Sequence, residues 1–421
     1  MRTYQFPLDL VRERSPERPV ALVRPRSVSV AARWFQDNLK ADVFYAVKAN
    51  PSAWVIEALI EAGVTAFDVA SLSEIELVRS VSDTARLAFM HPVKGRSAIT
   101  RAYFDHGVRT FALDSHDELQ KILDATGGAK DLNLMVRMAV SADGAAYTLS
   151  GKFGVAPHDA PSLLMAVRQA TVDGLMGVSF HVGSQCMRPS AYEAAMAQVG
   201  RAISRAGVFV DIVDVGGGFP SVYPGMVPPD MQEYADAIHR GFNEMPVSET
   251  TELWCEPGRA LVAESSSILC QVELRKGDAL YLNDGSYGSL FDATHSRWPF
   301  PVKLVRDGDS AGELKPFRFY GPTCDSIDHM PGPFYLPADV REGDYIEIGM
   351  LGAYGVAMST GFNGYGVHDI AAVEDAPMAS LYGLAPRSIP TVRTTAEETA
   401  RKVVRFSRPK GKAGQRKKSR R

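Results

Sequence analysis

Residues 43–51, Val43-Phe44-Tyr45-Ala46-Val47-Lys48-Ala49-Asn50-Pro51, hold the stretch around which the rest of the chain is read. The apolar run from Val43 to Val47 predicts a buried strand. Lys48 follows it at once, and Asn50-Pro51 ends the strand. A lysine at the mouth of a buried strand is costly to desolvate unless it has a partner or a task. Burial lowers a lysine's pKa and makes its amine nucleophilic, as a Schiff-base former requires. The plainer alternative is a lysine snorkelling from a strand end. The remainder of the sequence decides between the two.

The chain has 421 residues, with 45% hydrophobic and 23% charged residues, ordinary values for a globular enzyme of two domains or a large barrel with a satellite. No apolar run reaches the length of a membrane span, and residues 1–26 mix charge with proline and hold no apolar signal core. A cytoplasmic protein without membrane contact is therefore expected. Cys186, Cys255, Cys270 and Cys324 form no CxxC pair, which argues against a disulfide framework and against a bound metal. Residues 401–421 carry eleven Lys/Arg and no Asp/Glu; without them the net charge of −3 becomes −14. A disordered basic tail over 396–421 is expected, with at most nonspecific nucleic-acid contact.

Apolar runs at 42–47, 66–70, 87–90, 110–113, 132–140, 176–181, 208–215 and 253–261 alternate with helix-like segments such as 53–62, 73–80, 119–125, 191–205 and 231–242. Eight strand–helix units in this length predict a (β/α)8 TIM barrel over 26–265. A doubly wound sheet would also alternate, but no GxGxxG follows the first strand. After residue 263 short runs (268–274, 279–282, 315–320, 344–347 and 352–358) are broken by Gly, Pro and Asp. They predict an all-β domain over 266–395. Strand-like pieces within 8–24, notably Val20 to Val23, suggest that residues 1–25 add a strand to that domain.

In such a barrel the active site gathers where the strands end. Those ends carry Lys48, then Asp68, Arg137, the His181-Val182-Gly183-Ser184 run, Gly216-Gly217-Gly218, and Glu256-Pro257-Gly258-Arg259. Each alone has a structural explanation; together they suit a phosphorylated, electron-withdrawing cofactor. Gly216 to Gly218 and Gly258 let backbone N–H groups approach a phosphate, and Ser184 and Arg259 can bond it. Glu256 can keep a ring nitrogen protonated, His181 can lie against a planar ring, and Lys48 can supply an imine. That set describes pyridoxal 5'-phosphate (PLP), whose chemistry the protein tunes as an electron sink.

Outside the basic tail, the chain resembles the PLP-dependent group that includes ornithine, lysine, arginine and diaminopimelate decarboxylases, built on an alanine-racemase-like barrel. The matching motifs are Tyr45-Ala46-Val47-Lys48-Ala49-Asn50, Phe67-Asp68-Val69-Ala70-Ser71, Lys152-Phe153-Gly154, Ser179-Phe180-His181-Val182-Gly183-Ser184 and Gly216-Gly217-Gly218-Phe219-Pro220. They continue with Glu256-Pro257-Gly258-Arg259, Asn283-Asp284-Gly285-Ser286-Tyr287-Gly288, Gly321-Pro322-Thr323-Cys324-Asp325 and Gly352-Ala353-Tyr354. The resemblance implies that Lys48 carries PLP, His181 stacks on the ring and Glu256 pairs with the pyridine nitrogen. Ser184, Gly218, Gly258, Arg259 and Tyr354 would hold the phosphate, while Asp68 and Arg137 line the lysine and the cofactor. Cys324 would protonate the carbanion, and Asp325 would bind the far amine of the substrate. In this family the last two come from the partner subunit, which implies a head-to-tail homodimer with shared sites.

The far end of the substrate is where such enzymes differ. Asp325 offers one negative charge, suited to a terminal ammonium, and Asp292 is a candidate second carboxylate beside Tyr287. These suit a diamino acid, with L-ornithine favoured over lysine; the two differ by one methylene, worth only ~1–3 kcal/mol in a pocket. An amino-acid racemase would place arginine rather than Glu256 opposite the ring nitrogen. A catalytically dead, regulator-binding relative would lose cofactor or donor residues, whereas Lys48, Glu256, Cys324 and Asp325 are all present. The β-rich part argues against a one-domain PLP carrier.

Overall fold

Eight parallel strands close into a barrel in the order Ile212–Asp214, Glu252–Cys255, Asp42–Ala46, Ala66–Val69, Arg86–Phe89, Thr110–Leu113, Asn133–Arg137 and Met176–Ser179. This is a computed structural model, and it describes residues 1–388 apart from 142–144, 148–150, 309 and 311. The basic tail expected over 396–421 lies outside the described residues, as does the end of the predicted β region.

Strand pleating decides what fills the barrel. Alternate side chains of one strand point to opposite faces. Val43 and Tyr45 face the surrounding helices, while Phe44 faces inward with Ala66, Ala88, Met90, Ala112, Met135, Ile212 and Trp254. Phe44 stacks on Trp254 with centroids 4.3 Å apart, and the alanines make room for these large groups. A Cβ on Gly177 would come within 2.2 Å of Met135 Sδ, so the glycine leaves Met135 the room its side chain occupies in this layer. The interior is thus a packed plug, and only its upper rim can hold a ligand.

The outer helices include Pro25–Leu39, Ala53–Glu61, Leu72–Val81, His116–Ala125, Ser190–Ala206 and Met231–Asn243. Ser71 and Ser115 cap their helices by accepting hydrogen bonds from the N–H groups of Glu74 and Glu118. Arg96–Phe104 and Ala160–Ala170 complete the alternation.

A nine-stranded mixed sheet forms the second layer system. Its long strand Ser266–Lys276 pairs with Val20–Val23, Tyr345–Ile348 and Ala279–Leu282. Val20–Val23 also pairs in parallel with Asp369–Val373, so the chain before the barrel is woven into the sheet after it. Arg24 fastens that join: its guanidinium reaches Glu347 and Asp375, both at 2.8 Å, with Arg24 and Glu347 almost fully buried.

Several expectations need correction. The first part of the 8–24 stretch is the helix Pro7–Arg14, not strand, with Pro7 at its first position and the i, i+3 pair Pro7 and Leu10 buried. The run 253–261 divides into the strand Glu252–Cys255 and the helix Arg259–Val262, broken by Pro257-Gly258. The apolar segment 352–358 is a turn with the 3-10 helix Val356–Met358; Gly352 and Gly355 pack against backbone there and stop any ladder. Strands Val302–Val305, His329–Pro337 and Asp369–Val373 are additional.

Candidate active site

The pleat that fills the barrel also sets the rim. Asp68 follows inward-facing Ala66 by two residues, as Arg137 follows Met135, Asp214 follows Ile212 and Glu256 follows Trp254. Period-2 geometry therefore turns four polar side chains into the C-terminal mouth without any loop having to place them. Lys48 stands beside them in the 3-10 turn Val47–Ala49, which continues the first strand. That turn is stapled to the β-rich part: the Tyr354 N–H donates to Ala49 O at 2.8 Å, and Asn50 Nδ2 donates to Gly352 O at 2.8 Å.

Lys48 Nζ lies 2.7 Å from Asp68 Oδ2. Its side chain is 43% exposed at the mouth, so the cost of burying the charge is smaller than for a sealed group. Burial pulls its pKa down, but Asp68, Glu256 and Tyr354 together outweigh it and hold the amine above its ordinary value. This corrects the expectation of a lysine depressed by burial. In the free chain Lys48 is an ammonium clamped by Asp68, and it must yield a proton before the amine can attack.

Glu256 has the opposite environment. It is 6% exposed, and burial, then Asp214 and Asp68, push its carboxyl well above the usual range. Asp214, raised to about 6 chiefly by burial, accepts a hydrogen bond from the Gly216 N–H at 2.8 Å. His181 Nδ1 accepts from the Gly183 N–H at 2.9 Å, which leaves the ring proton on Nε2. Burial first, then Arg137 and Lys48, lower His181 to about 3, so the ring is neutral and can lie against an aromatic surface.

Arg259 closes the opposite side of the rim. Its guanidinium bonds Tyr223 Oη at 2.8 Å and lies over Trp298 (4.3 Å) and Tyr354 (4.8 Å). Asp292, expected as a second substrate carboxylate, instead lies 3.5 Å from the Arg259 guanidinium, and burial, opposed by Arg259, holds its carboxyl above the usual range. Ser184 opens the short strand Ser184–Cys186 beside Gly183. The glycines have a packing reason beyond any phosphate: a Cβ on Gly216, Gly217 or Gly218 would meet a carbonyl oxygen at 2.1, 2.6 or 2.5 Å, and one on Gly258 would meet Ala49 Cβ at 3.0 Å.

Three buried polar atoms on this rim have no partner among the described residues: Glu256 Oε1, Asp68 Oδ1 and Arg259 Nε. Such atoms call for a ligand. A carboxyl oxygen for a ring nitrogen, a guanidinium N–H for a phosphate and an amine for an aldehyde are the complement of PLP.

A second cluster lies in the β-rich part. Tyr287 Oη donates to Asp325 Oδ2 at 2.6 Å, and Asp325 Oδ1 accepts from the Ile327 N–H at 3.1 Å. Those two bonds hold the Asp325 carboxyl below its usual range. Phe362 packs on Tyr287 at 4.8 Å, and Cys324 is exposed beside Asn363. Sequence reasoning missed Asp328, which holds this cluster together. It is 2% exposed, and its two oxygens accept from the N–H and hydroxyl groups of both Ser286 and Thr323, at 2.7 to 3.1 Å. Gly285 and Gly321 leave room for it, since a Cβ on either would stand 2.2 Å from Asp328 Oδ1. The signal was present as an aspartate flanked by two glycine-led loops, but only their convergence gives it meaning. Asp214 and Asn363 were missed likewise.

The comparisons agree with this geometry. The family model described as pyridoxal-dependent decarboxylase, pyridoxal binding domain, matches residues 26–263. A lysine/ornithine decarboxylase from Selenomonas ruminantium is 32% identical over 346 residues, 80% of this chain and 85% of that protein. Antizyme inhibitor 2 from Xenopus laevis is 32% identical over 347 residues, covering 76% and 73% respectively. The crystal structure of the Paramecium bursaria Chlorella virus arginine decarboxylase bound to agmatine superposes with a TM-score of 0.77 at 27% identity, covering 87% of this chain and 98% of that one. With the barrel, its rim and these relatives in agreement, the chain belongs to the pyridoxal-dependent decarboxylases and is an enzyme that works with PLP.

Proposed function

We propose that the enzyme decarboxylates a basic L-amino acid, L-ornithine foremost, to give putrescine and CO2. The observation that carries this reading is the Tyr287–Asp325 hydrogen bond, which presents one ionised carboxylate for one distal ammonium next to the Cys324 thiol. With Asp292 paired to Arg259, Asp325 is the carboxylate assigned to the substrate. PLP, when bound, supplies the ring that accepts the electron pair left behind by CO2. Lys48 holds the cofactor, Glu256 brings a proton to the ring nitrogen, neutral His181 backs the ring, and Arg259 with Ser184, Gly218, Gly258 and Tyr354 holds the phosphate. Asp68 and Arg137 orient the lysine end. Cys324 returns a proton to the carbon that lost the carboxylate.

Lysine is the second reading, favoured by the lysine/ornithine decarboxylase relative. The relative named antizyme inhibitor 2 raises a non-enzymatic alternative, against which this chain keeps Lys48, Glu256, Cys324 and Asp325. A cytoplasmic setting fits four free cysteines, three of them buried.

We further propose a homodimer with two shared sites. The hydrogen bonds of Cys324, Asp325 and Tyr287 among the described residues run within the β-rich part, while the cofactor groups stand on the barrel rim. CO2 release measured across ornithine, lysine, arginine and diaminopimelate tests the substrate: ornithine is expected to give the highest kcat/KM, and preference for a substrate with a second carboxylate would defeat the reading. Mixing Lys48→Ala, which should not turn over, with Cys324→Ala, which should form little amine and divert product to aldehyde, tests the sharing through amine formation. Random subunit exchange should restore up to about a quarter of wild-type activity. Background activity after demonstrated exchange would place each site within one chain.

A further inference from the structure

Asn363 sits at the tip of the turn Phe362–Gly364 with φ 54° and ψ 12°. This left-handed conformation is uncommon for residues other than glycine, and asparagine tolerates it better than most. The conformation aims its side chain back at Cys324. Asn363 Oδ1 lies 3.1 Å from the Cys324 backbone nitrogen and 3.2 Å from its Sγ.

These contacts fix more than a distance. The backbone N–H of Cys324 can only donate, so the amide atom facing it must be the carbonyl oxygen. That oxygen can only accept, so the thiol proton must point at it too. The turn itself is anchored to the residues around the proposed ammonium site. Phe362 packs on Tyr287, the Thr360 N–H donates to Tyr287 O at 2.8 Å, and Thr360 Oγ1 accepts from the Phe362 N–H at 3.3 Å.

We propose that Asn363 is a positioning residue for the proton donor: its amide oxygen keeps Cys324 as an oriented, proton-bearing thiol and thereby decides which carbon is protonated after CO2 leaves. The inference rests on the decarboxylase reading. In the step it governs, the electron pair left on the substrate carbon takes the proton of Cys324. The S–H bond breaks, a C–H bond forms, and the thiolate is reprotonated by water. A thiol released from Asn363 loses its fixed direction. Protonation then shifts toward the cofactor side; on that branch the cofactor would keep the amino group and water would supply the oxygen of an aldehyde, so product divides between amine and aldehyde.

The test uses Asn363→Gly and Asn363→Asp in the PLP-loaded enzyme. Glycine keeps the left-handed backbone and removes only the acceptor; aspartate keeps an acceptor oxygen at the same reach. For Asn363→Gly we expect an aldehyde fraction raised about tenfold, a lower kcat for amine formation and a KM within about twofold of wild type. Asn363→Asp should restore the wild-type product ratio. Iodoacetamide labelling of Cys324, followed by peptide mass mapping, gives a readout independent of turnover. Labelling should quicken about three- to tenfold in Asn363→Gly, by the worth of one lost hydrogen bond, and should be no faster than wild type in Asn363→Asp. Adding Asn363→Gly to Cys324→Ala should leave the product ratio of Cys324→Ala unchanged. Wild-type labelling and product ratio in Asn363→Gly would overturn the proposal, as would failure of aspartate to restore them. If the wild-type enzyme released no CO2 from any basic amino acid, the decarboxylase reading would fall, while the labelling rates would still report on the contact.

Discussion

The barrel rim and the loop cluster around Cys324 are built on different principles. On the rim, Asp68, Glu256 and Arg259 are 1%, 6% and 7% exposed, and their directions follow from strand pleating. Burial first, and neighbouring charges second, push Glu256 up (with Asp214 and Asp68) and His181 down (with Arg137 and Lys48). In the loop cluster Cys324 and Asn363 are exposed, and position comes from hydrogen bonds converging on Asp328 and from one aromatic contact. The proposed cofactor half of the site is assembled from strand ends of one barrel. The substrate half is arranged but open, which suits the proposed completion by a second subunit. Preorganisation by a sheet needs no partner; preorganisation by loops holds geometry but cannot exclude water.

That contrast can be broken at its strongest point first. Lys48→Ala removes the amine proposed to hold the cofactor. Turnover should fall by at least about 10⁴-fold, and the borohydride-bleachable absorbance should vanish, although phosphate contacts can retain some PLP. Wild-type-like turnover in this variant would end the assignment.

Glu256→Gln tests whether the buried rim works through charge. The interaction strengthens as negative charge develops on the ring, so kcat should drop about 10²- to 10³-fold while KM stays within about threefold. An unchanged kcat would show that the ring nitrogen needs no acid there.

The open cluster should respond in the other parameter. Asp325→Ala leaves the substrate ammonium unpaired, with an expected loss of about 2–5 kcal/mol in kcat/KM for ornithine. Steady-state kinetics on ornithine and on a monoamine analogue separate the two cases, because the analogue should lose almost nothing. An equal loss on both would reassign Asp325 to a structural role.

Glu264 isolates burial from catalysis and gives the smallest effect. Its carboxyl, 4% exposed, is raised to about 7 chiefly by burial; one oxygen accepts from the Leu381 N–H and the other has no partner among the described residues. A folded-state pKa above the unfolded value means stability that is complete at pH 4 and declines as pH rises through 7. Glu264→Gln should therefore be more stable than wild type at pH 8.5, by up to about 3 kcal/mol, and nearly equal to it at pH 4.5. Thermal unfolding of both proteins at the two pH values reads this directly, and a pH-independent difference would mean that Glu264 does not titrate on folding.

The sequence made the barrel rim legible because chemistry and period coincide there. An inward apolar residue followed two places later by Asp68, Arg137 or Glu256 is both a strand signature and a site signature. The short strands Val302–Val305 and Asp369–Val373 were not legible, since their pairing partners lie far along the chain and four or five residues carry little periodicity. The 352–358 segment misled for the opposite reason: Ala353 and Tyr354 are apolar because they pack against the barrel core, and Val356–Met358 is a 3-10 turn with no buried residue, not a ladder strand.

What the sequence by itself determined is the eight-unit alternation and the identity of the groups at each strand end, because strand period and side-chain chemistry are local properties. Tertiary structure alone decided how those groups are charged and with whom they are paired. Lys48 is held as an ammonium by an aspartate twenty residues away, Asp292 is turned to Arg259, and Asp328 ties together loops thirty-seven residues apart. Burial and through-space charge depend on which segments the fold brings within a few ångströms, and no local spacing encodes that distance.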